Sequence, residues 1–326
     1  MKNILVSGAS GVLGYGVLKS LRVMERPVRL IGTSIYDDSI ADVFSDVFVQ
    51  APLTKDDSYL DWLNKVITDY DIDLAIPCIE DDVYTWSDNR DLFDAAGMKA
   101  VLNCPSLLSL CRDKWLFYNE LDVSDSDYVI ETIMSRDFDE IVSRFGLPFL
   151  LKPRVGYASR GIVKVKGRED FLPHADSIGD TLMVQPYVGD DNEEYTTSAF
   201  CDGKGGFSAY MSLRRKLARE GFTEKAEVAD PKGIEDALRY FCKLFKPIGP
   251  TNFQFRMHDG VLKLLEINPR ISSATSMRMA FGFNESAMAV DYYLDGVVPT
   301  QPPIKPGRAV RYLEDYIYAY EDRTDF

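Results

Sequence analysis

The sequence is poor in histidine and cysteine and has no long apolar run. Its 326 residues include two histidines, His174 and His258, and five cysteines without a Cys-x-x-Cys pair. This composition excludes a histidine-rich metal site, argues against a histidine-triad hydrolase, and favours reduced thiols over disulfides. No apolar stretch has the length of a membrane span, and the chain passes from Met1-Lys2-Asn3 directly into a predicted strand. We therefore expect a cytoplasmic protein without a secretory signal or a membrane partner.

Positive charge is also scarce. The chain has 51 acidic and 37 basic residues, which gives a formal net charge of -14. A nucleic-acid partner is not expected, because binding to a phosphate backbone needs a basic surface. The acids crowd residues 37–94, whereas basic side chains concentrate in 152–168 and 214–219. A basic patch inside an acidic protein favours a small polyanionic ligand.

The first hundred residues alternate predicted strands with predicted helices. Strands are expected at 3–6, 28–31 and 74–77, and this βαβ pattern predicts a parallel sheet. The predicted unit spans residues 1–105. A single helix is predicted next, over 106–121, and the later sequence mixes long strands with helices. The predicted fold class is therefore α/β, with two or three domains.

The most informative strand ends in Glu266, Asn268 and Arg270. Alternate side chains of a strand share a face, so Glu266 and Asn268 project together. The preceding strand runs into Asp259-Gly260, a strong hairpin signal, and antiparallel pairing would set Gln254 beside Glu266. Three oxygen ligands followed by an arginine are typical of a magnesium-and-phosphate platform. An ordinary hairpin with a polar face is the alternative.

A glycine-rich turn, Gly8 to Gly16, follows the first strand and opens a helix, as a dinucleotide-binding turn does. Thr33, however, stands where a ribose-binding acid would end the second strand. The Tyr-x-x-x-Lys pair of a short-chain dehydrogenase is found only as Tyr15 and Lys19, inside the turn itself. A tight first turn without a nucleotide is therefore favoured over a nicotinamide site.

Two further segments have sequences that are typical of nucleotide-binding loops. Lys152 precedes a Gly/Ser-containing strand-loop-strand segment, 154–161, that could close over a triphosphate, although a hairpin with a mobile tip is equally compatible. Downstream, the strand ending in Gln185 breaks at Pro186 and is followed by Glu194. Such a break can expose backbone groups to an adenine edge, with a carboxylate near the ribose; a domain hinge is the alternative.

Taken in order, these elements resemble the ATP-grasp superfamily, most closely its carbamoyl-phosphate-synthetase-like members. The matching elements are Lys114 in Arg-Asp-Lys, Lys152 before the loop, Gln-Pro-Tyr-Val, Glu-Glu-Tyr, Asn-x-Gln-Phe and Glu-x-Asn-Pro-Arg, spread over residues 106–295. The resemblance implies a Rossmann-like pre-ATP-grasp domain at 1–105. It also implies an α+β ATP-grasp fold of two lobes: a small lobe with the glycine flap at 106–187 and a large lobe with the metal site at 188–326.

The resemblance also implies roles for single residues. ATP would be bound by Lys114, Lys152, Ser159, Gly161, Gln185, Pro186, Tyr187, Val188 and Glu194. Among them, the lysines would contact the phosphates, Gln185 and Val188 would frame the adenine, and Glu194 would hold the ribose. Two Mg²⁺ ions, with Mn²⁺ as a substitute, would be bound by Gln254, Glu266 and Asn268, and Arg270 would contact the transferred phosphate.

Substrate contacts are expected from two places. Arg214 and Lys216 lie in a basic stretch between the hinge and the metal hairpin, and we expect them to point at the phosphates or at an acidic substrate as catalytic side chains. Ser272, Ser273 and Arg278 follow the metal strand and are expected to receive the acceptor carboxylate at a helix N-terminus. For both sets, ordinary solvated polar side chains are the alternative.

The leading functional hypothesis is an ATP- and magnesium-dependent carboxylate-amine ligase that forms an acyl phosphate and releases ADP and phosphate. The alternatives are an NAD(P)-dependent short-chain-type oxidoreductase that uses the glycine turn, and a catalytically inert nucleotide-binding module. The expected partners are a small-molecule carboxylate and an amine, with a homodimer as an open possibility for assembly. The sequence leaves open the identities of both substrates and whether ammonia is the nucleophile.

Overall fold

A computed structural model describes residues 1–122, 126–156 and 161–317. The first five strands form a parallel sheet in the order β3-β2-β1-β4-β5, which confirms the parallel sheet expected from the sequence. The strands are β1 Lys2–Val6, β2 Val28–Ser34, β3 Val47–Gln50, β4 Leu74–Ile76 and β5 Lys99–Ala100. The helices between and around them are α1 Val12–Arg22, α2 Ala41–Phe44, α3 Tyr59–Asp69, α4 Glu80–Asp88 and α5 Arg90–Ala95.

The apolar run in β1 is explained by its position in the middle of this sheet. Ile4 and Val6 pack into a core on one face, whereas Leu5 packs into a different core on the other face. Both faces are therefore covered, as is usual for parallel sheets. The chain order reverses between β1 and β4, and in sheets of this kind a crevice forms beyond the carboxyl ends of the strands at that point.

A small antiparallel sheet follows, in the order β7-β6-β8. Its strands are β6 Phe149–Pro153, β7 Val163–Val165 and β8 Leu182–Pro186, and its helices are α6 Pro105–Arg112, α7 Lys114–Asp122, α8 Phe138–Phe145 and α9 Arg168–Phe171. The single helix predicted over 106–121 was wrong, because the backbone of Asp113 is extended and divides it. The Asp113 carboxylate accepts hydrogen bonds from the backbone N–H of Trp115 and from Arg154. This break makes Lys114 the first residue of α7.

The largest sheet is antiparallel, with the order β13-β12-β9-β10-β11-β14. Its strands are β9 Glu194–Asp202, β10 Phe207–Leu217, β11 Thr223–Ala229, β12 Ile248–His258, β13 Val261–Asn268 and β14 Arg308–Val310. The remaining helices are α10 Ile234–Phe245, α11 Thr275–Ala280 and α12 Glu285–Asp295. As predicted, Asp259-Gly260 turns β12 into β13, with positive φ at both residues, and Gln254 lies opposite Glu266.

The two larger sheets share a core. Ile271, Ala289 and Val290 pack in the same apolar cluster as Ile4 and Leu18, so α12 and the end of β13 lie against the first sheet. This packing brings the carboxyl ends of β1 and β4 towards the end of β13. Within the described residues, no helix combines the length and apolar character needed to span a membrane.

Candidate functional site

A cavity of about 460 Å³ opens where the first sheet meets the largest sheet. It is bordered by Gly11 beyond β1, by Ile79 beyond β4, and by Arg270 beyond β13. A second cavity, of about 150 Å³, lies between the small sheet and the largest sheet. Residues that border both are Lys114, Gly156, Arg215, Leu217, Gln254 and Glu266. The two cavities therefore adjoin at the side chains that the sequence assigned to metal and phosphate.

Gln254, Glu266 and Asn268 form a cluster of oxygen-bearing side chains at this junction. The Asn268 side-chain nitrogen donates to Glu266 Oε1 at 3.0 Å, which leaves the Asn268 oxygen available as a ligand. Gln254 Oε1 accepts from Arg215. No group of three or more His, Cys, Asp or Glu side chains suited to a metal occurs in the described ranges. One carboxylate with two amide oxygens fits a magnesium ion that takes its remaining ligands from phosphate and water.

Two lysines reach the smaller cavity from different elements. Lys152, in β6, is only 8% exposed, and burial lowers its pKa to about 8, with a further lowering from the nearby charges of Lys114 and Arg256. The opposing charge of Glu266 raises the pKa in part. Lys114 donates to the backbone carbonyl of Gly156 at the edge of the loop. One buried and one half-buried lysine thus place positive charge in a concave site, which attracts an anion.

Glu194 is buried between two arginines beside the same cavity. Arg215 donates to Glu194 Oε1 from Nε at 3.0 Å and from Nη2 at 2.9 Å, and Arg256 donates to Oε2 at 2.7 Å. Burial acts to raise the pKa of Glu194, but the charges and hydrogen bonds of the arginines outweigh it, so the pKa lies below its ordinary value. Glu194 is thus held as a fixed carboxylate, and the three bonds from the arginines leave one lone pair, on Oε2, for a hydroxyl donor.

The hinge after β8 supplies the remaining wall. Gln185 is buried and donates to the Thr132 hydroxyl at 2.7 Å, and Pro186 and Val188 border the smaller cavity. Tyr187 turns away from it: Lys164 Nζ lies 3.5 Å from the centre of its ring. Of the predicted adenine contacts, Gln185, Pro186 and Val188 therefore share one cavity wall, whereas Tyr187 is absent from that wall.

A family model described as "ATP-grasp in the biosynthetic pathway with Ter operon" matches residues 179–316. In structure, the chain is similar to N5-carboxyaminoimidazole synthetase from Staphylococcus aureus complexed with ADP, with a TM-score of 0.76 at 16% identity, over 96% of this chain and 82% of that one. The chain is also similar to a biotin carboxylase from Campylobacter jejuni, with a TM-score of 0.71 at 16% identity, over 94% of this chain and 74% of that one. These likenesses show that the chain shares its fold with both enzymes.

Curated relatives match this chain over less than half of its length. It is 26% identical over 145 residues to the carbamoyl phosphate synthase large chain, C-terminal section, of Methanocaldococcus jannaschii, which is 41% of this chain and 24% of that protein. It is 24% identical over 172 residues to the carbamoyl phosphate synthase large chain of Caldanaerobacter subterraneus, covering 48% and 16%. The matched region thus spans about a quarter or less of these relatives.

The side chains of β10 that point towards the cavities are not the ones predicted from the sequence. Arg214 and Lys216 are exposed, and Arg214 pairs with Glu227 at 2.7 Å, so neither borders the two cavities. Arg215, between them, is buried and borders both. The apolar alternation of Met211, Leu213 and Leu217 could have revealed this, because Arg215 shares their side of the strand.

Of the residues predicted to bind substrate after β13, two border a cavity and one does not. Ser272 and Ser273 border the larger cavity. Arg278 does not, since it is completely buried and donates to Ser272 and Glu285 inside the protein. Of the two predicted flap residues, Gly161 is exposed and outside both cavity linings, and Ser159 lies outside the described residues.

The glycine turn after β1 has a packing reason for one of its glycines. A Cβ on Gly14 would lie 2.2 Å from the Gly8 carbonyl oxygen, so α1 can approach the turn only with glycine at this position. Gly8 has a φ of +57°, a conformation that suits glycine. The close contact between α1 and the turn therefore explains Gly14, and the positive φ explains Gly8, without a bound nucleotide.

Proposed function

We propose that this chain is a member of the ATP-grasp superfamily and acts as an ATP- and Mg²⁺-dependent carboxylate-amine ligase that works through an acyl phosphate. The observation that carries the proposal is the junction of the two cavities at Glu266 and Gln254. A nucleotide in the smaller cavity would direct its terminal phosphate through this junction to an acceptor in the larger one. The similar synthetase from Staphylococcus aureus is complexed with ADP, which supports a nucleotide site in this fold.

In the proposed complex, the chain binds ATP along the smaller cavity. Pro186 and Val188 border the adenine, Glu194 accepts a hydrogen bond from a ribose hydroxyl, and Lys114 and Lys152 contact the phosphates. Gln254, Glu266 and Asn268 would hold two Mg²⁺ ions, or Mn²⁺ in their place. Bound Mg²⁺ would neutralise charge on the β- and γ-phosphates. Arg270 orients the phosphoryl group at the mouth of the larger cavity.

The reaction then proceeds in two balanced steps. A carboxylate oxygen attacks the γ-phosphorus, the bond from that phosphorus to the bridging oxygen breaks, and ADP leaves with the electron pair. An amine next attacks the acyl carbon, the bond to the phosphate oxygen breaks, and phosphate leaves as the amine releases a proton to solvent. The activation is required because a free carboxylate does not react with amines. Positioning by Lys152 and Arg270 and the exclusion of water are the contributions of the chain.

We also propose a domain assignment on this basis. Residues 1–105, with the parallel sheet, form a Rossmann-like pre-ATP-grasp domain, 106–187 the small lobe, and 188–326 the large lobe. The strand order of the first sheet agrees with the first five strands of a doubly wound dinucleotide-binding sheet. The cytoplasmic location and a homodimeric assembly remain predictions.

The test is thermal stabilisation by nucleotides. A Mg²⁺ complex of a non-hydrolysable ATP analogue at a hundredfold its Kd should add about 2.7 kcal/mol to the free energy of unfolding. NADH and NADPH serve as comparison ligands. A shift with a nicotinamide cofactor alone would move the site to the glycine turn after β1 and overturn the ligase proposal.

A further inference from the structure

Glu80 lies beside Arg270 in the wall of the larger cavity. Its Oε2 lies 3.6 Å from Arg270 Nη2, and its Oε1 lies 3.4 Å from the Tyr84 hydroxyl that donates to it. Both separations exceed the usual range for such hydrogen bonds, about 2.5–3.2 Å. The side chains of Glu80 and Arg270 are 22% and 19% exposed. The Glu80 carboxylate therefore has acceptor capacity that its protein neighbours leave unfilled, and it borders a cavity.

The local structure holds Glu80 in this position. It is the first residue of α4, directly beyond β4, where a negative charge is favoured by the helix dipole. Asp82 fixes the same helical turn against the core. It is 2% exposed and accepts hydrogen bonds from the hydroxyls of Thr54 and Tyr59, each at 2.6 Å. Asp82 is fully engaged in the core, whereas Glu80 remains directed at the cavity.

The size and walls of the cavity indicate an organic ligand. Its volume of about 460 Å³ lies within the range of about 300–1,000 Å³ that is usual for small-molecule pockets. A bicarbonate ion, with four heavy atoms, would fill a small part of it, since a single water occupies about 30 Å³ in the liquid. Apolar side chains form much of the wall between the charged groups, among them Leu13, Val83, Phe117, Leu217 and Phe222.

We propose that the acceptor substrate is an amino acid, with Glu80 as the site for its ammonium group. This inference rests on the proposed ligase function. The adjacent opposite charges of Glu80 and Arg270 match the adjacent opposite charges of an α-amino acid: the substrate carboxylate meets Arg270, and its ammonium meets Glu80. The apolar walls then contact the substrate side chain.

The arrangement also explains how self-acylation would be avoided. An amine attacks an acyl phosphate only through its unprotonated form. Glu80 favours the protonated form of the amino group beside it, because an adjacent negative charge stabilises a cation. The ammonium group therefore serves in recognition, and the acyl phosphate at the other end of the substrate is left for a second amine. No bond to the ammonium nitrogen forms or breaks in the proposed step.

The test compares amino acids with their deaminated analogues in the intact chain. The twenty amino acids are supplied with Mg-ATP and hydroxylamine, which attacks an acyl phosphate to give a hydroxamate and phosphate; hydroxamate and ADP are both measured. Matched acids without the amino group, such as 3-phenylpropanoate for phenylalanine and 4-methylpentanoate for leucine, are run in parallel with bicarbonate. We expect one or more amino acids to be turned over in strong preference to the matched acid and to bicarbonate.

The variant Glu80→Gln should raise KM for the amino acid by roughly ten- to a hundredfold, since it removes a charge-assisted contact, while KM for ATP is unchanged. Asp81→Asn is the matched control, because Asp81 is exposed in the same helical turn and outside the cavity lining. Glu220→Gln is a second control, since Glu220 borders the cavity at a different place. Both controls should retain the preference for the amino acid.

Two failures are distinguishable. Absence of stabilisation by the Mg²⁺-bound ATP analogue in the wild type contradicts the proposed function itself. If the analogue binds but deaminated acids or bicarbonate are used as well as any amino acid, or no amino acid is used, the assignment of Glu80 is overturned. It is also overturned if Glu80→Gln retains its thermal midpoint and the preference, or if only Glu220→Gln loses the preference.

Discussion

Two polar clusters lie two residues apart along β12, and they are built in opposite ways. Asn252 belongs to a sealed network in which Arg278 pairs with Glu285 at 3.0 Å and donates to Asn252 Oδ1 at 2.8 Å. Arg278 and Glu285 are 0% and 1% exposed. Gln254, two residues further on, borders both cavities beside Glu266. One strand therefore supplies a residue to the interior network and a residue to the candidate site.

The difference between the clusters is one of charge pairing. In the sealed network, Arg278 Nε and Asn252 Nδ2 have no hydrogen-bond partner, but the charges of Arg278 and Glu285 are close and hydrogen-bonded, because an unpaired charge in the interior carries a large free-energy penalty. In the open cluster, the Asn268 oxygen is left available. Glu80 and Arg270, which border the larger cavity, are 3.6 Å apart. Groups that are to bind a ligand cannot all be satisfied by the protein itself. Incomplete pairing at a cavity is thus the structural feature that separates candidate function from architecture.

The largest effect on stability is expected in the sealed network. Arg278→Met leaves the Glu285 carboxylate buried without its partner, and we expect the free energy of unfolding to fall by about 3–5 kcal/mol. Urea denaturation measures the change. The double variant Arg278→Met with Glu285→Gln should recover part of the loss. If the single variant lost under 1 kcal/mol, the network would not have the role assigned to it.

The largest effect on activity is expected at the open cluster. Glu266→Ala removes the single carboxylate of the proposed magnesium site and should lower kcat by about a hundred- to a thousandfold, with little change in the free energy of unfolding. ADP release in the presence of Mg²⁺ is the measurement. Lys263→Ala, on the same strand but outside both cavity linings, is the control. Turnover retained by Glu266→Ala would contradict the proposed ligand set.

A smaller effect is expected at β10, where neighbouring arginines face opposite ways. Arg215→Met removes the bidentate partner of the buried Glu194 and should weaken ATP binding by about ten- to a hundredfold. Arg214→Met alters an exposed pair and should change the affinity by less than about twofold. Isothermal titration with the ATP analogue compares the two. Equal losses of affinity in the two variants would show that the face of β10 on which an arginine lies does not decide its role in ATP binding.

The smallest of these effects is a pH dependence through Lys152. Burial lowers the pKa of Lys152 to about 8, so its positive charge is present below that pH and is lost as the pH rises through it. The affinity for the ATP analogue should therefore be highest below pH 8 and fall by up to about tenfold between pH 7 and pH 9. The variant Lys152→Met should bind more weakly and lose this part of the pH dependence. An unchanged slope would assign the titration to another group.

The parts of the site that could be predicted from the sequence are those formed by residues close together along the chain. The β12–β13 hairpin was predictable because Asp259-Gly260 specifies the turn and strand alternation then places Gln254 near Glu266. The break at Asp113 was not, since it depends on an ion pair with Arg154, which is distant in sequence. The arginines around Glu194 come from β10 and β12 and meet only in the folded sheet.

The sequence by itself determined the parallel first sheet, the β12–β13 hairpin and the order of the elements that resemble the ATP-grasp superfamily. These features follow from local periodicity, turn residues and short motifs, which act over a few residues. The tertiary structure decided which of Arg214, Arg215 and Lys216 faces the cavity, which arginine is sealed in the core, and that Glu80 lies beside Arg270. Such pairings depend on how sheets pack against one another, and no local pattern in the chain encodes that packing.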